Sequence, residues 1–277
     1  MKTLIACLLS LLAACPAWAA EPSAKEGVDV GRKSSFTNLV PAADVERSAA
    51  MQYDQMKRQA QEQRALAPSD HPQLQRLRTI ARKMLPYTVK WNDRAKTWKW
   101  EVNLIGSNQI NAFCMPGGKI AFFSGLINRL KLSDGEIAIV MGHEIAHALR
   151  EHARERIGKQ TATNVGANLV SQLFGLGNLG NAALSAGVNM LALKYSRDDE
   201  TEADLIGMEL SARAGYDPAS GISLWQKMGK TGKGSPPQWL STHPSGETRI
   251  RDIKKHLAEV APLYDKAKLN KIGRAHV

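Results

Sequence analysis

The chain is poor in cysteine. It has three in 277 residues, and two of them, Cys7 and Cys15, fall in an apolar N-terminal segment. Only Cys114 lies beyond that segment, so no disulfide joins two parts of the chain's main body. Cys114 sits in an apolar run and reads as a small buried side chain rather than a nucleophile. Aromatic residues are scarce too, at 6%, and no basic stretch is interleaved with them. That removes the stacking platform that single-stranded nucleic acid needs. The net charge of +11 comes from scattered residues and reads as a solvated basic surface, so no nucleic acid is expected as a partner.

Long apolar runs are also missing. Leu4 to Ala14 form an apolar run of only eleven residues, too short to span a bilayer permanently. Residues 160–193 carry no charged side chain, yet Asn164, Asn168, Gln172, Asn178, Asn181 and Asn189 interrupt them. This stretch is expected to form two short helices around Gly175-Leu176-Gly177, a lid over a cleft, with peripheral membrane contact as a further expectation.

What is present begins with an export signal. Lys2, the apolar run and Ala17-Trp18-Ala19 match a secretory signal peptide spanning residues 1–19, which predicts a soluble protein of a bacterial periplasm. Leu12-Ala13-Ala14-Cys15 gives a competing reading, a lipoprotein signal to residue 14 with the mature chain anchored to an outer membrane through Cys15. Residues 20–42 read as an extended leader and 43–266 as one folded domain. Lys271–Val277 back-translates to a sequencing-adapter read and is expected to be foreign, so His276 takes no part in the argument.

Within the domain, residues 43–66 read as a helix, and Pro68 to Pro72 break it. A second helix carries Leu74, Leu77, Ile80, Ala81 and Met84 on one side. Trp98 to Leu104 alternates as a half-buried strand, and Pro116-Gly117-Gly118 marks a turn into a strand over Lys119–Ser124. Ser133 with Glu136 forms a capping box that opens a helix predicted to run to about Arg156. Ser196 to Asp199 opens another, which Gly215 ends, and a basic helix spans about Glu247 to Lys266. The expected fold class is α+β, mostly helical, with a small antiparallel sheet.

The chemistry lies in His143-Glu144-Ile145-Ala146-His147. On a helix, residues four apart share a face, so two imidazoles can reach one metal. Glu144, turned about 100° from His143, can hold an attacking water without ligating. Zinc needs a third protein ligand and leaves its fourth position to water. Downstream, Glu200 and Asp204 repeat the four-residue spacing. One of these carboxylates can complete the zinc shell, and the other can accept a hydrogen bond from a ligand imidazole and fix its tautomer. Glu202 is a competing ligand but points about 200° around the helix from Glu200.

Pro116-Gly117-Gly118 with its strand, His143-Glu144-x-x-His147, and Ser196-Arg197-x-x-Glu200-x-x-Ala203-Asp204 together resemble the gluzincin family of the CAAX prenyl proteases. That family also holds the heat-shock membrane protease HtpX and periplasmic quality-control metallopeptidases. The likeness covers about residues 70–255 and implies a single zincin-like (minigluzincin) domain. It implies one Zn2+ per chain held by His143, His147 and Glu200, with Asp204 behind them and Glu144 as general base. It also implies that the strand Ile120, Ala121, Phe122 and Phe123 lies along the cleft and binds substrate backbone as an added strand. Soluble members resemble Thr242-His243-Pro244-Ser245 with Arg249, so His243 or Arg249 would stabilise the oxyanion, or His243 would occupy the open zinc position at rest. His71, His152 and His256 receive no role, since on a continuous helix His152 lies 900° from His143 and faces away. The implied activity is endopeptidase cleavage of misfolded or misassembled cell-envelope proteins. The alternative is a chaperone-like binding module in which proteolysis is secondary or latent.

Overall fold

The computed structural model describes residues 26–162, 194–231, 238–243 and 247–275. The expected export signal, nearly all of the expected lid and Pro244-Ser245 lie outside the described residues.

The expected second helix forms as read: α2 (Pro72–Met84) buries Leu74, Leu77, Ile80, Ala81 and Met84. The helix α1 (Ala42–Glu62) buries Val45, Ala49 and Tyr53 along one stripe. Between them stand β1 (Glu101–Ile105), β2 (Ala112–Met115) and β3 (Lys119–Phe123) in the order β1-β3-β2. The sheet is mixed rather than antiparallel. β2 and β3 form the antiparallel hairpin that the turn signal predicted, but β1 pairs with β3 in parallel. The hairpin turn needs its glycines, because Gly117 and Gly118 have φ of 82° and 80°, in the left-handed region that side chains disfavour.

The period-2 alternation then sorts side chains to two faces. Phe113, Met115 and Ala121 join the cluster with α1, whereas Ala112, Cys114, Ile120 and Phe122 join the main core with α2 and α4 (Asp134–Arg150). A short helix α3 (Ser124–Leu130) leads from β3 into α4. The capping box of α4 is formed: the Ser133 hydroxyl accepts from the Glu136 backbone N–H, and the Ser133 backbone N–H donates to Glu136. The Glu136 carboxylate also accepts from Ser223 and Lys227 on α7 (Ser220–Lys230), which fixes the entry of α4.

α4 stops at Arg150, earlier than expected. Glu151 takes φ 61°, and α5 (His152–Ala162) sets off in a new direction. No glycine or proline marks the break. After the undescribed stretch, α6 (Arg197–Arg213) opens on the second capping box and packs across α4. The crossing is close because both helices present glycine. A Cβ on Gly207 would sit 2.7 Å from the His143 backbone nitrogen, and one on Gly142 would sit 2.7 Å from the Gly207 carbonyl oxygen. A one-turn helix α8 (Gln238–Thr242) and a long α9 (Glu247–Ala275) complete the described chain. Residues 26–41 lie against the fold: Val28 and Val40 are buried, and the Val28 N–H donates to the buried Glu209 carboxylate on α6. Among the described residues, no helix is long and apolar enough to cross a membrane.

Candidate metal centre

The close crossing of α4 and α6 puts the two halves of the sequence signal face to face. His143 and His147 point from α4 towards Glu200 on α6, and all three are buried. The His143 and His147 Nε2 atoms lie 3.0 Å apart, and each is 3.5–3.6 Å from a Glu200 carboxylate oxygen. His243, which follows α8, joins them with Nδ1 3.2 Å from His143 Nε2 and 2.9 Å from Glu200 Oε1. One ligand atom from each of the four lies within 4.8 Å of the others. A tetrahedral zinc with bonds of about 2.0–2.1 Å needs ligand atoms about 3.3–3.4 Å apart, and two imidazoles with a carboxylate are a normal zinc donor set, so these residues fit the ion. Glu202 is turned outward and accepts from Arg150 Nε at 2.6 Å.

Electrostatics favour a neutral His147 and an ionised Asp204. Burial keeps the His147 pKa well below the usual imidazole range, which leaves the ring neutral. Burial alone would raise the Asp204 carboxyl, but the Arg249 charge and the hydrogen bonds from His143 and Arg249 together outweigh it and bring the pKa to about 2. Asp204 Oδ1 is 3.1 Å from His143 Nδ1, in position to accept that proton and leave Nε2 bare. For His243, burial lowers the pKa, but the Glu144 and Glu200 carboxylates overcome it and raise it.

Arg249 differs from its sequence expectation. Its guanidinium donates from Nη1 to Glu200 Oε2 at 2.7 Å and from Nε to Asp204 Oδ2 at 2.6 Å, and it stacks 3.8 Å over the Trp225 ring. These contacts direct it to the Glu200 and Asp204 carboxylates, not towards an oxyanion in the cleft.

The cleft opens beside Glu144, with residues of β2, Tyr195 and His243 in its walls. Here the substrate-strand expectation is corrected. Ile120, Ala121, Phe122 and Phe123 belong to β3, the central strand, which is paired along both edges, and the first three are fully buried. No backbone edge is left there for an added strand. β1 and β2 are the edge strands, and β2 lines the cleft. Cys114 on β2 is buried, and burial with the nearby Glu144 charge pushes its thiol pKa well up, as an inert side chain requires.

Three contributors escaped the sequence reading. Trp239 Nε1 donates to Glu144 Oε1 at 2.6 Å, and nothing local in Gln238–Thr242 signals it. Tyr195 stacks on the His147 ring with centroids 4.0 Å apart and planes 22° apart, and its place just before the Ser196 cap was the available clue. His152 lies against His147 instead of facing away, because α4 breaks between them. His71 caps α2, and His256 pairs with Glu259 on the surface, consistent with no role at the centre.

Comparison with known proteins agrees with this geometry. A family model described as "Peptidase family M48" matches residues 71–257. The "Mitochondrial metalloendopeptidase OMA1" of Arabidopsis thaliana is 38% identical over 176 residues, 63% of this chain and 35% of the relative. The protein of the same name from Saccharomyces cerevisiae is 29% identical over 225 residues, 77% of this chain and 64% of the relative. The "Beta-barrel assembly-enhancing protease" of Escherichia coli K12 is 33% identical over 171 residues, 58% of this chain and 35% of the relative. The match therefore spans less than two thirds of the length of each of these relatives.

Proposed function

This chain belongs to peptidase family M48, and from that premise we propose that it is a zinc-dependent endopeptidase acting on misfolded or misassembled proteins of the cell envelope. The observation that carries the reading is the buried group His143, His147 and Glu200 with Glu144 beside it, facing a cleft walled by a strand edge. Bound by His143, His147 and Glu200, one zinc ion per chain supplies Lewis-acid chemistry, acidifying water and polarising a carbonyl.

The chain's own residues carry the other tasks. The β2 edge, Ala112–Met115, takes up the substrate backbone as an added strand, the role first read into β3. Glu144 accepts a proton from the attacking water as the water oxygen bonds to the scissile carbonyl carbon. It passes that proton to the amide nitrogen as the C–N bond breaks. Trp239 holds one Glu144 oxygen, which limits the directions the carboxylate can take. Asp204 orients His143, and Arg249 holds both α6 carboxylates in place. His243 Nδ1 keeps company with the ligand atoms, which supports a resting fourth ligand that substrate displaces. Its Nε2, 3.7 Å from Glu144 Oε1, is placed to donate to the oxyanion once displaced. His243→Ala is expected to change both resting metal coordination and activity, and a variant unaltered in both removes both roles.

The envelope assignment is supported by the export signal read in residues 1–19 and by the Escherichia coli relative, whose name ties it to β-barrel assembly. Zinc content and casein cleavage, measured on mature wild type and Glu144→Gln, test the whole reading. One zinc per chain in both with cleavage in wild type alone is the expected result. Zinc without cleavage in either supports the binding-module alternative, and no zinc in wild type overturns the proposal.

A further inference from the structure

His152 stands outside the ligand set, yet it is 3% exposed and makes contacts that a space-filling residue would not need. Because Glu151 takes a left-handed conformation at the end of α4, the chain folds back and His152 Nδ1 comes 2.8 Å from His147 Nδ1. On its far side, His152 Nε2 is 3.3 Å from Glu202 Oε2 and 3.8 Å from Asp199 Oδ1. Glu202 Oε2 is itself fixed by Arg150 Nε at 2.6 Å.

The proton positions follow from these distances. Two imidazole nitrogens at hydrogen-bond distance require one proton between them, carried by one nitrogen and accepted by the lone pair of the other. His147 turns Nε2 towards the ligand cluster, so as a ligand it keeps that nitrogen bare and carries its proton on Nδ1. His152 Nδ1 must then be the acceptor, which puts the His152 proton on Nε2, directed at the Glu202 carboxylate. One tautomer thus fixes the next, from Glu202 inward to the ligand.

We infer that His152, braced by Glu202 and Arg150, is the positioning residue for His147. It does for that ligand what Asp204 does for His143, and the inference rests on the zinc reading above. The two supports are unequal. His143 is backed by a carboxylate and His147 by a neutral ring, whose charged brace lies one residue further out. Tyr195 holds the face of the His147 ring while His152 holds its edge, so the ring is constrained in both tilt and rotation. This also gives Glu202 a task that its outward direction denies it as a ligand.

Zinc competition against a chelator on the full chain tests the assignment, with His152→Leu and His152→Asn beside wild type and apo-protein melting as the control for folding. Asn places a carbonyl oxygen near the Nδ1 position and can accept from His147, whereas Leu fills space without accepting. Zinc affinity is expected to fall roughly 10- to 100-fold in the Leu variant and to recover most of the way in the Asn variant. Affinity in His152→Leu equal to wild type, or equal losses in both variants, overturns the inference while leaving zinc binding by wild type intact. Failure of wild type to bind zinc sinks the underlying reading, and the inference with it. If His152→Leu does not fold, imidazole 15N spectra of the zinc-loaded wild type decide the matter. Protons on His147 Nδ1 and His152 Nε2 are expected, and a proton on His152 Nδ1 contradicts the relay.

Discussion

The two helices that bear the expected ligands and the C-terminal residues that close over them reach the same centre by different means. α4 and α6 meet through bare backbone, glycine against glycine, and their ligands follow from the helical repeat. Trp239, His243 and Arg249 share no such repeat. Each is held by a contact of its own: an indole on Glu144, an imidazole among the ligand atoms, a guanidinium on two buried carboxylates. The ligand geometry therefore depends on packing, whereas the closing residues depend on charge and hydrogen bonds. The two should fail in different ways when disturbed.

The largest effect is expected where packing is tightest. Gly207→Leu forces a side chain into the His143 backbone and should cost more than about 5 kcal/mol, an exceptional loss for one residue. Denaturant unfolding and zinc content should fall together, and a folded, zinc-binding Gly207→Leu would show that the helix contact is looser than described. Arg249→Leu breaks the other side of the comparison. It leaves Glu200 and Asp204 buried beside each other without their cation, at an expected cost of about 3–5 kcal/mol in the zinc-free protein. Chemical denaturation of the apo form reads this directly, and a loss under 1 kcal/mol would assign the support to other groups.

Smaller effects sharpen the contrast. Glu136 anchors the start of α4, seven residues before His143, and Glu136→Gln should cost about 1–3 kcal/mol. Burial would raise the Glu136 pKa, but the hydrogen bonds from Lys227, Ser133 and Ser223 with the Lys227 charge together outweigh it and hold it below the usual carboxylate value. A depressed pKa gives stability that is present above the unfolded value and is lost as pH falls through the folded one. The advantage of wild type over Glu136→Gln should therefore shrink below about pH 4.3, as melting curves at stepped pH would record. The smallest change expected is Trp239→Phe, which removes one donor from Glu144 and keeps the ring. Stability should move by about 1 kcal/mol, and casein cleavage should lose a few-fold in kcat with KM unchanged.

The same contrast explains what could be read from sequence. The α2 stripe of Leu74, Leu77, Ile80, Ala81 and Met84, both capping boxes and the ligand spacings are local patterns, and each appears in the fold as read. The parallel pairing of β1 with β3 is non-local, so the alternation that identifies the strands leaves their order open and allowed β3 to be mistaken for an edge. The end of α4 was missed for a related reason. Glu151 adopts φ 61° without a glycine, and the contacts gathered there, His152 with His147 and Glu202, join residues on α4, α5 and α6. Arg249 was read as a group for the oxyanion from the family resemblance, and its sequence position says nothing of which carboxylates lie beside it.

The central claim is that His143, His147 and Glu200 hold a single zinc. A crystal of the zinc-loaded chain, with anomalous maps collected on either side of the zinc edge, tests it most directly. The account predicts one peak within about 2.0–2.2 Å of His143 Nε2, His147 Nε2 and a Glu200 oxygen, with Asp204 and Glu202 outside bonding distance. A peak bound by Asp204 or Glu202 in place of Glu200, or no peak between α4 and α6, would contradict it.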